Sequence, residues 1–185
     1  MNLWDTRSGS YKPIQTLTEA KDTVSTLDIH MATYSIISGS YDGCMRIYDI
    51  RMGRSTVDVV AFPVTSVESS KDGNALLAST LDGRIRMLDR ADGTLLKAFG
   101  GGVGYQNKEM RIRSVFACGD AVVMSGSEGH GGQAHVFAWD VLSGEVVGVV
   151  EAGEGVKVVS CVAWNEKWGD GGCWAGGCSD GKHRV

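Results

Sequence analysis

Several features are missing from this 185-residue sequence, and each absence narrows the answer. No uncharged apolar run approaches the roughly 18 residues that a membrane helix requires. The opening MNLWDTRSG does not have the basic-then-apolar build of a secretory signal. No stretch sustains an apolar spacing of 3.6 residues. The best helical candidate, TLTEAKDTVSTL, carries threonine throughout and reads as strand, loop, strand. An excess of positive charge is also lacking: 18 Lys and Arg stand against 22 Asp and Glu, for a net charge of −4. That balance removes any general attraction for nucleic acid or for an anionic membrane, so neither is an expected partner. The small basic strip at Arg84, Arg86 and Arg90 is better read as one face of a strand, since Arg84 and Arg86 alternate along it. The five cysteines are odd in number and lie mostly in strand-like runs, which suggests reduced, buried thiols in cytoplasm or nucleus.

What the chain does contain is a recurring phrase. SGSYDGCMRIYD ends at Asp49 and ASTLDGRIRMLD at Asp89, each with Asp-Gly in its middle. NLWD ends at Asp5 and GGQAHVFAWD at Asp140, so the intervals are 44, 40 and 51 residues. A period near 40 to 45 that closes in Trp-Asp is the signature of a four-stranded propeller blade. The longest interval carries the Gly-rich insertions GGGVGYQNKEM and GSEGHGGQAH. Between Gly, Ser, Asp and Asn clusters lie short runs rich in β-branched and apolar residues, such as TVDVVAF, RIRMLD and AHVFAWD. Asp42-Gly43, Asp82-Gly83 and Asp180-Gly181 are expected to be turns between antiparallel strands, where glycine tolerates positive φ and the aspartate accepts backbone N–H bonds. The third copy has Glu128-Gly129 followed by His130, which predicts a longer turn. The expected fold is all-β: a partial propeller ring of about four blades. Residues 1–10 end one blade, 11–50, 51–90 and 91–141 are repeats, and 142–185 form an incomplete blade.

With these repeats the chain resembles the WD-repeat β-propellers along essentially its whole length. Within that class it is most similar to the mitogen-activated protein kinase organizer family. The likeness is carried by SGSYDGCMRIYDIRMG, by STLDGRIRMLDRADGTLLKAFGG with GYQNKEMRIRS after it, and by GSEG followed by VFAWDVLSGEVV. The resemblance implies a non-catalytic scaffold for kinase-cascade proteins, associated also with the spliceosome, in cytoplasm and nucleus, without cofactor. It also implies seven blades, roughly 290 residues at the usual period. The chain is therefore expected to be a truncated member, with a four-bladed ring closed by its own ends as the lesser alternative. Many WD blades carry a hydrogen-bond relay of Gly-His, Ser or Thr, turn Asp and Trp. Here the blade-end pairs read Trp4-Asp5, Tyr48-Asp49, Leu88-Asp89 and Trp139-Asp140, and no Gly-His precedes a blade. Apolar packing between neighbouring blades is expected to compensate.

No catalytic or metal constellation stands out. GCSDG, around Ser179, matches the nucleophile-elbow pattern in form but lacks the following helix, acid and histidine. A propeller-framed hydrolase is the rival reading, and Ser179→Ala is its test. Cys173, Cys178 and His183 are too widely spaced for a tetrahedral zinc site. Gly100–Met110 lacks the Gly-Lys-Ser/Thr ending of a phosphate loop. His30, His130 and His135 are scattered. Trp164 reads as core, whereas Trp168 and Trp174 read as candidates for exposure. Partner contacts are expected on the rim that carries the strand-pair turns and the loops leading into each blade. Tyr41, Phe62, Leu81 and Tyr105 are the candidates, because large side chains at turns supply contact area.

Overall fold

The computed structural model describes residues 1–102, 104–129, 131–168, 171–181 and 183–184. Among these, every regular element is a strand. A two-stranded sheet pairs β1 (Asn2–Leu3) with β2 (Gln15–Thr16). Three four-stranded antiparallel meanders follow. The first holds β3 (Val24–His30), β4 (Ser35–Ser40), β5 (Cys44–Asp49) and β6 (Arg54–Val59). The second holds β7 (Val64–Ser69), β8 (Ala75–Thr80), β9 (Arg84–Asp89) and β10 (Leu95–Gly100). The third holds β11 (Ser114–Ala117), β12 (Val122–Gly126), β13 (His135–Asp140) and β14 (Val146–Glu151). A three-stranded sheet of β15 (Val159–Asn165), β16 (Cys173–Cys178) and β17 (His183–Arg184) completes the chain.

Each sheet straddles the sequence repeat. The outermost strand of a sheet comes from the start of the next interval: β6 follows Asp49, and β10 follows Asp89. The turns between the second and third strands hold Gly43 at φ 77°, Gly83 at φ 73° and Gly181 at φ 76°. These values suit glycine, which has no Cβ to clash there.

The core lies between sheets rather than within them. Alternation along a strand sends successive side chains to opposite faces. Leu76 therefore joins Ile37, Met45, Ile47 and Val64 between the first and second sheets. Its neighbour Leu77 joins Ile85, Val123, Phe137 and Trp139 between the second and third. Met124, Val136, Val159 and Val162 fill the gap between the third and fourth. Glycine permits the closest approaches: a Cβ on Gly39 would lie 2.5 Å from Val64 Cγ1, and one on Gly126 would collide with the Val159 carbonyl.

Polar latches tie the same neighbours along one edge. Asp28 accepts from Ser69 N at 2.8 Å and from Ser69 Oγ at 2.6 Å. The buried ring of His30 meets Thr33 Oγ1 at 2.8 Å and the Lys71 carbonyl at 3.2 Å. Lys71 N donates to Asp120 at 2.8 Å, and Gly119 N donates to Glu166 at 2.7 Å. Lys71 and Glu166 also form an ion pair. Sheets one to four are thus linked in series.

Leu77 is fully buried and sits between two sheets, so Leu77→Ala is expected to cost about 2–5 kcal/mol in urea unfolding. Val147→Ala, on the exposed side of β14, should stay within about 0.5 kcal/mol.

Candidate interaction rim and channel

The rim that carries the Asp-Gly turns is fixed by side chains reaching from one segment to another. Asp42 accepts from Lys21 N at 2.9 Å and from Cys44 N at 3.0 Å. It also receives both terminal nitrogens of Arg46, at 3.2 and 2.7 Å. Both members of this bidentate pair are almost fully buried. The Arg46 guanidinium holds the Asp42 carboxyl well below the usual carboxylate range, against the opposing effect of burial. The second sheet repeats the device: Arg86 grips Asp82 at 3.1 and 2.5 Å, and Thr80 Oγ1 donates to Asp82 at 2.5 Å. Burial alone would raise the Asp82 carboxyl, but Arg86 and Thr80 outweigh it and keep the group low. These pairs tie each turn to its own sheet, so the sheets do not rely on apolar packing alone. The signal was present in the sequence as Asp-Gly-x-x-Arg, in DGCMR, DGRIR and DGKHR.

The third turn is built differently. Strand register aligns Glu128 with Tyr41 and Leu81 rather than with the turn aspartates. Its Oε1 accepts from the N–H groups of Lys108, Glu109 and Met110, each at 2.8 Å. His130 lies outside the described residues. In the fourth sheet Ser179 Oγ accepts from Lys157 N at 3.0 Å and Val158 N at 3.2 Å. Ser179 is thus a loop clamp, matching Glu128 in role.

The four candidate contact residues fall into different environments. Phe62 is exposed, with the Arg86 guanidinium 5.4 Å from its ring centroid. Tyr41 is half-buried; Arg111 lies over its ring at 5.8 Å and donates to its hydroxyl at 3.2 Å. Leu81 is also half-buried. Tyr105 is a correction. Rather than projecting from its Gly-rich loop, it is 5% exposed and meets Trp139 edge-on at 5.3 Å and Phe137 at 5.8 Å. Its hydroxyl pairs with Ser125 Oγ at 3.3 Å, and burial raises its pKa. Arg111 and the exposed Met110 take the surface place that Tyr105 was expected to hold.

Other expectations also change. All five cysteines are free, but Cys118 and Cys161 are exposed rather than buried. Trp168 is exposed, whereas Trp164 and Trp174 are half-buried and paired across β15 and β16. The His183 side chain lies outside the described residues. Among the described residues no three His, Cys, Asp or Glu side chains are placed to hold a metal.

The four innermost strands line a cavity of about 360 Å³, bordered by Asp28, Glu68, Arg113, Phe116 and Trp164. Burial, and after it the Asp28 and Asp120 carboxylates, pushes Glu68 up to about 8. At Glu68 the folded chain therefore holds more of a proton than the unfolded chain between pH 4.5 and about 8.

Three comparisons place this geometry among known proteins. Residues 11–49 and 59–89 match the family of the WD domain, G-beta repeat, so these stretches are WD repeats. The chain is 43% identical over 135 residues to an uncharacterized WD repeat-containing protein of Schizosaccharomyces pombe, covering 73% of this chain and 42% of that one. It is 37% identical over 150 residues to WD repeat domain-containing protein 83 of Rattus norvegicus, covering 81% and 45%. The chain thus spans a little under half the length of these curated relatives. In fold it is similar to the computationally designed Ika4 protein, with a TM-score of 0.71 at 19% identity, covering 92% of this chain and 94% of that one.

Two outcomes follow from the buried charges. Asp42→Ala strands Arg46 in a buried site and should destabilise by about 3–5 kcal/mol in chemical unfolding, whereas Asp5→Ala, which breaks an exposed pair, should change little. For Glu68 the folded value lies above the unfolded one, so its contribution is full below pH 4.5 and is lost as pH rises to about 8. Glu68→Gln should flatten the fall in melting temperature across that window.

Proposed function

We propose that this chain is a non-catalytic scaffold that gathers proteins on its rim, kinase-cascade components first and spliceosomal proteins second, in cytoplasm and nucleus. Similarity to WD repeat domain-containing protein 83 supports the reading, as does the organizer-family likeness of YDIRMG and RMLDRADGTLL. The observation that carries it is the Phe62 ring on the rim. Arg86 lies beside it, and Asp82 and Thr80 hold Arg86 in place, so an exposed aromatic is fixed before any partner arrives. Fixed aromatic and arginine groups are the commonest binding hot spots, and fixing them in advance lowers the entropy lost on association.

The test is affinity purification of the tagged chain from cells, with Phe62→Ala beside it. Kinase-cascade proteins are expected in the eluate, and Phe62→Ala should cut their recovery about tenfold, the equivalent of about 1.4 kcal/mol. Its unfolding midpoint should stay unchanged. Equal recovery by both forms would remove the rim from the account. Hydrolytic turnover that disappears in Ser179→Ala would replace the scaffold with an enzyme.

A further inference from the structure

Residues 107–112 tie three sheets together at the rim. Glu128 of the third sheet fixes Lys108, Glu109 and Met110 by their N–H groups. The second sheet holds the same segment twice: Gly83 N donates to the Asn107 carbonyl at 3.1 Å, and Thr65 Oγ1 donates to the Ile112 carbonyl at 3.2 Å. Arg111 reaches the first sheet, where it lies over the Tyr41 ring and donates from Nε to the hydroxyl. Asn107 and Ile112 are fully buried, while the four residues between them are exposed. Held in this way, the end of a long connection has no slack to fold inward, and its side chains stay at the surface as they would on a short one.

The cations of this edge are of two kinds. Arg46 and Arg86 are spent on Asp42 and Asp82. Lys21, Arg84, Lys108 and Arg111 are exposed, and among the described residues no carboxylate lies within ion-pair distance of any of them. They outnumber the carboxylates there, which are the exposed Asp22 and Glu109 and the Glu128 already occupied by three N–H groups. Tyr41 takes only the Nε of Arg111, so the two terminal nitrogens remain as a fork that fits a carboxylate. The apolar Phe62 and Met110 stand on the same edge, 43% and 49% exposed. The opposite edge carries the carboxylate latches Asp28, Asp120 and Glu166, and the chain as a whole has a net charge of −4.

Building on the scaffold reading of this rim, we infer that it receives an acidic segment of a partner protein. The free fork of Arg111 pairs with a glutamate or aspartate of that segment, Lys108 and Arg84 add attraction, and an apolar side chain of the segment rests against Phe62. Complementary charge of this kind steers a partner and fixes its register. Nucleic acid is disfavoured, because its dense and continuous charge would extend over the acidic remainder of the chain.

Fluorescence anisotropy tests this on the whole 185-residue chain. The probe is a fluorescein-labelled peptide of glutamates around a central leucine. Peptides with lysine in place of glutamate, and an oligothymidylate of equal length, serve as comparisons. The glutamate peptide is expected to bind, and added salt should weaken it. Arg111→Ala should lower its affinity about tenfold with the unfolding midpoint unchanged, since a hydrogen-bonded charge at an exposed site is lost. Arg111→Lys, which keeps the charge but not the fork, should fall between. Arg51 is the matched control: it lies 4.7 Å from the Tyr34 ring centroid at the opposite edge, and Arg51→Ala should leave affinity as it was. Glu109→Gln should tighten binding. Equal binding of the lysine peptide or the oligothymidylate, or an Arg111→Ala chain as tight as wild type, would overturn the inference. If the glutamate peptide fails to bind while Phe62→Ala still cuts recovery of cellular proteins, the acidic partner is excluded and the scaffold stands.

Discussion

Packing between sheets is the constraint on which everything else depends. A four-stranded meander presents two faces, and in this chain both must find a neighbour. Leu76 and Leu77 show it within one strand: adjacent residues, both fully buried, belong to different clusters on opposite sides of the second sheet. Such a stack behaves as a row of units joined by nearest-neighbour interfaces. Its rim keeps a fixed geometry because the loops are clamped to sheets that cannot slide past one another.

The polar network follows from that arrangement. Once a turn aspartate is buried between a sheet and its incoming loop, its charge needs a partner, and removing a partner costs more than the pair contributes. The first two sheets answer with arginine four residues on. The third places Phe137 at the equivalent strand position and fills the space with Phe99, Tyr105 and Trp139, whose rings meet at 5.3 to 6.2 Å. Two chemistries therefore occupy one structural slot. The Gly-rich insertion makes the second possible, because it brings Tyr105 back into the gap between sheets.

This slot also explains what could be read from the sequence. The strands, their antiparallel order and the glycines at positive φ were legible, because they rest on local periodicity and local turn chemistry. The Asp42–Arg46 and Asp82–Arg86 pairs were legible in principle from their repeated spacing. Tyr105 was not, since its ring partners Phe137 and Trp139 come from β13, a distant segment whose approach depends on how two sheets stack. Glu128 misleads for a related reason. Its neighbour Gly129 imitates an Asp-Gly turn, and only strand register moves it into line with Tyr41.

The same logic separates residues that can carry recognition from those that carry the fold. A large side chain at a turn has two possible destinations: outward to solvent, or inward to the gap beside the next sheet. The length of the loop before it decides which. Phe62 lies in a short connection between β6 and β7, which leaves no slack for its ring to turn inward, and Arg86 meets it at the surface. Tyr105 lies in the longer connection between β10 and β11, with chain enough to fold back, and the apolar gap draws it in. Recognition on this rim is therefore expected to concentrate at the short connections, where burial is geometrically denied.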